Sequence, residues 1–312
     1  MRYGFGIDLG GTTVKMAFLD ENGTMRDKWE IPTRTEDKGK NILPDIAASV
    51  KEYMKKENLT NDQIIGIGIG VPGPISEAGI VNKCVNLGWE MVDLHGELSV
   101  LTGLPVKGGN DANVAALGEC WKGGGHGATD LIMATLGTGV GGGIINNGRI
   151  IAGFHGAGGE IGHFTVNFDE KEPCACGKYG CLEQYASANG IVRMAKVMLS
   201  QCDTPSRLRE LENFTAKDIC DLAREGEEMA GRIVDRCGEY LGRAMSFVSC
   251  TTDPDVFVVG GGMSRAGAVV TNAALKYFRK YAFHVSAGTS IVIAELGNDA
   301  GIYGSAKMVL HN

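Results

Sequence analysis

The sequence predicts an α/β protein of two related lobes, and three observations carry that prediction. At 312 residues the chain is long for one domain and close to two of roughly 150 residues each. Short apolar runs of strand character alternate along it with amphipathic helical segments. A strand–turn–strand unit also occurs twice, as GIDLGGTTVKMAFLD near the start and as LIMATLGTGVGGGIIN in the middle. Each copy is an apolar run, a turn of Gly and Thr, and a returning run, which reads as two related lobes; a coincidence of two Gly-rich hairpins is the alternative that the shared layout disfavours. The two lobes are expected to face one another, so that the two turns hold a polyphosphate from both sides.

Composition narrows the function classes. Hydrophobic residues at 44% and charged residues at 21% describe an ordinary globular chain. Glycine stands out: 47 residues are about twice the usual ~7% share. They cluster in loops, where a backbone without Cβ approaches a ligand closely. A net charge of −7 argues against a nucleic-acid partner. Met1 is followed almost at once by the strand-like run Tyr3–Leu9, so no secretory leader is expected. No apolar stretch reaches ~18 residues without Gly or a charge, so no membrane span is expected either. Nine cysteines without an export signal indicate a reducing cytoplasm. Cys84, Cys120, Cys202, Cys220, Cys237 and Cys250 fall in apolar or helical patterns and are expected as buried free thiols.

Taken in order, Tyr3–Ile7 reads as a buried strand, Asp8–Thr13 as a Gly-rich turn and Val14–Asp20 as a returning strand. The turn lacks the GK[ST] of a Walker A loop and leads into a strand. With backbone donors, two hydroxyls, Lys15 and Asp8, it suits a phosphate beside a water-bound Mg²⁺; a plain Gly hairpin is the alternative. Glu36–Asn58 reads as a helix, with Ile42, Ile46, Val50 and Met54 at spacing four. IIGIGIGVPGPI is an interior strand ending in Pro72-Gly73-Pro74, either a pocket wall or simple punctuation. In VNKCVNLGWEMVDL, Asn86 and Trp89 can face a polar ligand, although a tryptophan is more often core.

Leu104–Gly108 is a further strand, and Asn110 and Asp111 mark its passage into a helix. Asp111 is either the N-cap of that helix or a carboxylate at the C-terminal edge of a sheet, where open α/β folds bind ligands. The second Gly/Thr turn spans Gly137–Gly143. Helices are expected at Gln184–Ser200, Thr215–Arg224 (Thr215 as N-cap) and Glu227–Cys250. DVFVVGGGMSRAGAVV gives a strand, a Gly triplet and a helix start, followed by a helix near Thr271–Tyr281, a strand at Ile291–Glu295 and a last helix from Gly301.

The segment His155–Glu183, HGAGGEIGHFTVNFDEKEPCACGKYGCLE, has little regular periodicity. His163 is followed after ten residues by Cys174, then by Cys176 and Cys181. That makes a candidate tetrahedral Cys3His zinc site, bracketed by Glu160 and Glu183. Four filled positions leave none for a water nucleophile, so the zinc is expected to be structural.

With these pieces in place the chain resembles the ROK (repressor, open reading frame, kinase) family of sugar kinases over essentially its whole length. GIDLGGTTVK resembles the family's first phosphate motif, LGTGVGGGI its second, GGEIGH with CACGKYGCLE its sugar-and-zinc segment, and VVGGGMS its adenosine motif. The resemblance implies the two-lobed ATPase fold of actin, hexokinase and Hsp70, with duplicated ribonuclease H-like domains and nucleotide and sugar in the interlobe cleft. It implies a smaller N-terminal lobe at 1–120, onto which the helix near 301–312 packs back. A larger C-terminal lobe at 121–312 would carry the zinc loop 155–183.

The implied activity is ATP-dependent phosphorylation of a hexose at the 6-hydroxyl. The CLE and NLGW pieces lean towards glucose, and fructose, mannose, allose or an N-acetylated hexosamine are the alternatives. Asp111 would be the general base. Gly73, Asn86, Asn110, Glu160, His163 and Glu183 would contact the sugar. Asp8 would hold Mg²⁺ through water, while Gly10, Gly11, Thr12, Thr13, Lys15, Thr138 and Gly139 would meet the phosphates, and Gly261 and Gly262 the adenosine. His163, Cys174, Cys176 and Cys181 would bind Zn²⁺, with the second ring nitrogen of His163 left for the sugar. An alcohol does not ionise at neutral pH, so a placed base is worth ~10²–10⁴ in rate, and an aspartate with an ordinary pKa of ~3.9 is already ionised there. By analogy a homodimer is expected. Members acting as sugar-responsive repressors carry a helix-turn-helix ahead of the first phosphate motif. Only about five residues precede it here, which favours the enzyme.

Overall fold

The computed structural model describes residues 2–311, so the outermost expected lobe limits, Met1 and Asn312, lie outside the described residues. The chain begins with β1 (Tyr3–Leu9), β2 (Thr13–Asp20), β3 (Met25–Pro32), α1 (Glu36–Gly39), α2 (Ile42–Lys56) and β4 (Ile64–Val71). It continues with β5 (Ile80–Val81), β6 (Val92–Asp93), α3 (Leu94–Thr102), β7 (Val106–Asn110) and α4 (Asp111–Lys122). Next come β8 (Leu131–Leu136), β9 (Val140–Asn146), β10 (Arg149–Ile150), α5 (Glu183–Ala186), α6 (Ala188–Ser200) and α7 (Ala216–Arg224). The remainder is α8 (Glu228–Thr252), β11 (Val256–Gly260), α9 (Ala268–Tyr281), β12 (Ser290–Ile293) and α10 (Ala300–Leu310). Two compact units result. The first takes residues up to Gly127, Gly143–Gly158 and those from Asn298 on; the second takes Ala128–Gly142 and Gly159–Gly297.

One five-stranded sheet has the order β3-β2-β1-β4-β7, and the other β10-β9-β8-β11-β12. In the first, β2 pairs antiparallel with β1 and β3, whereas β4 runs parallel to β1 and β7. In the second, β10 is antiparallel to β9, and β11 runs parallel to β8 and β12. Ranked within its own copy, each sheet therefore reads third, second, first, fourth, fifth. The repeat read from the two Gly/Thr turns is a repeat of topology.

Period-2 patterning explains how the first sheet is covered. Phe5, Ile7, Leu9, Ile67, Ile69 and Val71 form one face and pack with Ile42, Ile46 and Val50 of α2 in the main core. The opposite face is glycine, and α10 lies against it. A Cβ on Gly68 would come within 1.7 Å of the Ser305 carbonyl oxygen, and one on Gly6 within 2.4 Å of that of Ile302. The Ser305 hydroxyl donates to the Ile7 carbonyl at 2.7 Å, and Ala17, Leu19, Ile302 and Ala306 make a smaller core there. Burying a Leu or Ile side chain stabilises by about 1.5–3 kcal/mol, so backbone contact on this face brings apolar contact with it.

Several boundaries move. Asp8 belongs to β1 rather than to the turn, and the second turn closes at Gly139, because β9 starts at Val140. Asp37 and Lys38 have φ of 51° and 60°, left-handed values that break the helix expected from Glu36; α2 starts at Ile42. The helix expected at Gln184–Ser200 breaks at Ser187, whose hydroxyl accepts the Gly190 N–H at the head of α6. The strand expected at Leu104–Gly108 lies at Val106–Asn110. The helix near Thr271 begins at Ala268, and the strand expected at Ile291–Glu295 covers Ser290–Ile293. Strand β3 was not expected: its charged residues mask an edge strand, of which Trp29 and Ile31 pack against the main core and Met25 against the smaller one. Trp89 is core, 4% exposed. Cys84, Cys120, Cys220 and Cys237 are buried free thiols, whereas Cys250 is exposed and Cys202 half-buried. No helix among the described residues is long and apolar enough to cross a membrane.

Candidate functional site

In the first unit, the β1–β2 turn is pinned by backbone. Gly10 N–H donates to Thr13 O at 3.1 Å and Thr33 N–H to Thr12 O at 2.9 Å. The Thr33 hydroxyl donates to Gly10 O at 2.7 Å. Gly11 and Thr12 are exposed, and Gly11 lies against Asn86, which stands exposed on the turn Val85–Leu87. Asp8 sits across from Lys15 in the register. Its alternation with Gly4 and Gly6 turns it towards α10, where a Cβ on Gly301 would lie 2.8 Å from its Cγ. Burial pushes the Asp8 carboxyl up from its ordinary value; Lys15 opposes that shift, and Asp111 and Asp299 add to it.

The β7–α4 junction rules out the N-cap reading of Asp111. Asn110 is the N-cap: its Oδ1 accepts the Ala112 N–H at 3.1 Å and the Asn113 N–H at 3.3 Å. Its Nδ2 donates to Gly73 O at 3.2 Å, so Asn110 and Gly73 come together. Asp111 is the first residue of α4 and exposed, with Oδ1 accepting the Ala112 N–H at 2.8 Å. Capping is therefore done by the asparagine, and the aspartate carboxylate faces outward at a helix N-terminus, where the dipole favours negative charge.

In the second unit, Gly137 and Thr138 line a cavity of about 1010 Å³ together with Gly262, Met263 and Arg265, the start of α6, and one side of α7: Thr215, Lys217, Cys220, Asp221 and Arg224. Gly261 has φ of 82°, and a Cβ there would press on the Leu136 backbone at 2.6 Å. The Gly triplet thus meets the backbone at the end of β8, where the second turn begins. Of the cavity wall, the α7 residues and Arg265 went unread in the sequence: Thr215 showed only as a cap, and a charged helix face resembles any solvated one.

His163, Cys174, Cys176 and Cys181 bring their ligand atoms within 4.8 Å of one another. Cys176 Sγ and Cys181 Sγ are 3.6 Å apart, and Cys174 Sγ lies 4.0 Å from His163 Nδ1. Tetrahedral zinc with Zn–S of about 2.3 Å spaces its sulfurs about 3.8 Å apart, so donor set and spacing fit that ion. Burial and the neighbouring thiols push Cys181 up to about 12, a cost that a cation would remove. The other ring nitrogen, His163 Nε2, is 4.0 Å from Glu160 Oε2. The loop is tied down by Lys178 Nζ to His163 O at 2.8 Å. Glu170 adds a second tie, held by Arg193 at 2.6 Å and by the Tyr185 hydroxyl. Burial opposes ionisation of Glu170, but these donors outweigh it and bring its carboxyl to about 2.

The family model described as the ROK family matches residues 4–312. The chain belongs to the ROK family. It is 42% identical to a glucokinase of Halalkalibacterium halodurans over 99% of this chain and 95% of that one. A ROK family glucokinase from Streptomyces griseus, solved in complex with glucose and AMPPNP, matches at 31% identity with a TM-score of 0.71, covering 99% of this chain and 100% of that one. A ROK hexokinase from Thermus thermophilus matches at 27% identity with a TM-score of 0.79, covering 98% and 97%. This ROK protein has the actin/hexokinase-like ATPase fold, and its two sheets are the two copies that the fold repeats.

Proposed function

We propose that this ROK protein is an ATP-dependent glucokinase that converts glucose to glucose 6-phosphate. Full-length similarity to glucokinases supports the reading. Within the chain one observation carries it: Asn110 takes over the helix cap and leaves the Asp111 carboxylate exposed, in the same unit as the Asp8 turn. Asp111 accepts the proton of the sugar 6-hydroxyl as that oxygen bonds to the γ-phosphorus and the β,γ-bridging P–O bond breaks. Backbone N–H groups of the first turn beyond Gly10, whose own N–H is spent on Thr13 O, and those at Thr138–Gly139, with Lys15, hold the phosphates. Asp8 holds the hydrated Mg²⁺, which neutralises phosphate charge when bound. Gly261 and Gly262 take the adenosine, within the cavity that α7 walls.

Gly73, Asn86, Asn110, Glu160, His163 and Glu183 are assigned to the remaining sugar hydroxyls; a buried hydroxyl without a partner would cost about 1–3 kcal/mol. His163 and the three cysteines hold a structural Zn²⁺, which fixes a loop without regular structure. We read the two units as the two lobes, and the protein as a cytoplasmic homodimer. ADP release across a hexose panel tests the reading, with Asp111→Asn as control: turnover highest on glucose, and reduced ~10²–10⁴-fold in the variant. Near-full turnover by Asp111→Asn would remove the base assignment. Undiminished zinc and stability in Cys176→Ser would remove the metal assignment.

A further inference from the structure

Glu183 reaches further than a sugar contact. It is the first residue of α5, two positions after the metal ligand Cys181. Its Oε2 accepts the Val140 N–H at 3.0 Å, the first backbone donor beyond the phosphate turn Gly137–Gly139. A Cβ on Gly139 would fall 2.3 Å from that same oxygen, so the turn closes down on the carboxylate. The other oxygen, Oε1, lies 3.9 Å from Cys174 Sγ. At the opposite end of the turn, the Ala188 N–H donates to Gly137 O at 2.8 Å. The stretch 183–188 therefore grips the phosphate turn on both sides of Thr138 and Gly139. Its own start is fixed to the metal loop, through Leu182 N–H to Phe164 O at 2.9 Å and Cys181 N–H to the Gln184 side chain at 3.1 Å.

We propose that Glu183 is a positioning residue for the nucleotide, a staple through which the metal loop sets the shape of the second phosphate turn. The inference rests on the kinase reading of that turn. It makes nucleotide affinity depend on the metal loop, by way of one carboxylate oxygen and one backbone N–H. Val140 is buried; without its acceptor, the N–H is left unpaired, and the turn must rearrange to satisfy it.

The test is equilibrium binding of a non-hydrolysable ATP analogue with Mg²⁺, without hexose, so that any sugar role of Glu183 is silent. Glu183→Ala is expected to bind the analogue about ten-fold more weakly than wild type. Glu183→Gln keeps an oxygen facing Val140 and should stay within about two-fold in analogue affinity, while its KM for hexose rises. Glu183→Ala should keep its zinc content, measured on the same sample, which separates the staple from damage to the metal loop. Wild-type affinity in Glu183→Ala, or equal losses in Glu183→Ala and Glu183→Gln, would overturn the proposal. Failure of the wild type itself to bind the analogue would overturn the kinase reading instead.

Discussion

The two Gly/Thr turns occupy equivalent places in sheets of the same strand order, yet they are held in opposite ways. The first is fastened by its own neighbourhood: Thr33, one residue past β3, donates from backbone and hydroxyl into Gly10 and Thr12. The second is fastened by residues more than 40 positions away, the Glu183 carboxylate and the Ala188 N–H. One copy of the repeat thus carries its support within the hairpin meander. The other borrows its support from α5 and the head of α6, which follow the His163–Cys181 loop. The topology repeats in the two sheets, and the fastening of the turns does not.

The largest expected effect sharpens the local half of that comparison. Gly68→Ala drives a Cβ onto the Ser305 carbonyl and should unseat α10 from the sheet behind the first turn, costing about 3 kcal/mol or more. Chemical denaturation would show this as a fall in midpoint. A variant as stable as wild type would mean that α10 can shift without loss.

Glu170→Gln attacks the borrowed support and should cost about 2 kcal/mol at neutral pH. The Glu170 carboxyl is depressed from an ordinary 4.5 to about 2, so its contribution is complete above pH 4.5 and fades as pH falls towards 2. Urea midpoints of wild type and variant should therefore converge across that window; a pH-independent gap would deny the charge its role. Asp8→Asn runs the other way. Burial raises the Asp8 pKa, so the ionised carboxyl weakens the fold above its folded pKa and not below its unfolded one. The variant should melt at a higher temperature than wild type at neutral pH, lose that advantage below about pH 3.8, and lose Mg²⁺-dependent turnover. Smallest is Thr33→Val, which removes one hydroxyl bond and leaves the backbone bond in place. It should cost about 1 kcal/mol and raise the KM for ATP only a few-fold, well short of the effect of Glu183→Ala.

What could be read in advance follows the range of the interactions. The turns, the Asn110–Asp111 junction and the Thr215 cap are local, and spacing in sequence shows them. Thr215 accepts the Asp218 N–H in a complete capping box, as its position foretold. The α7 wall of the cavity and the Glu183 staple join segments tens of residues apart, where no periodicity points. Break points such as Asp37 and Lys38 escape for another reason: their left-handed φ values contradict an apolar spacing that still looks helical. Charge hid β3, because an edge strand guarded by Arg26, Asp27, Lys28 and Glu30 reads as a loop.

The glycine face under α10 also has a consequence in time. Its strands β1 and β4 are complete by Val71, whereas α10 starts only at Ala300. At roughly 5–20 residues per second, a nascent first sheet waits some tens of seconds with one side bare. During that interval Ala17, Leu19 and a strip of naked backbone stand open to solvent and to other chains. A newly made molecule is therefore most vulnerable to misassembly while its second unit is still being translated, and chaperone demand should peak then.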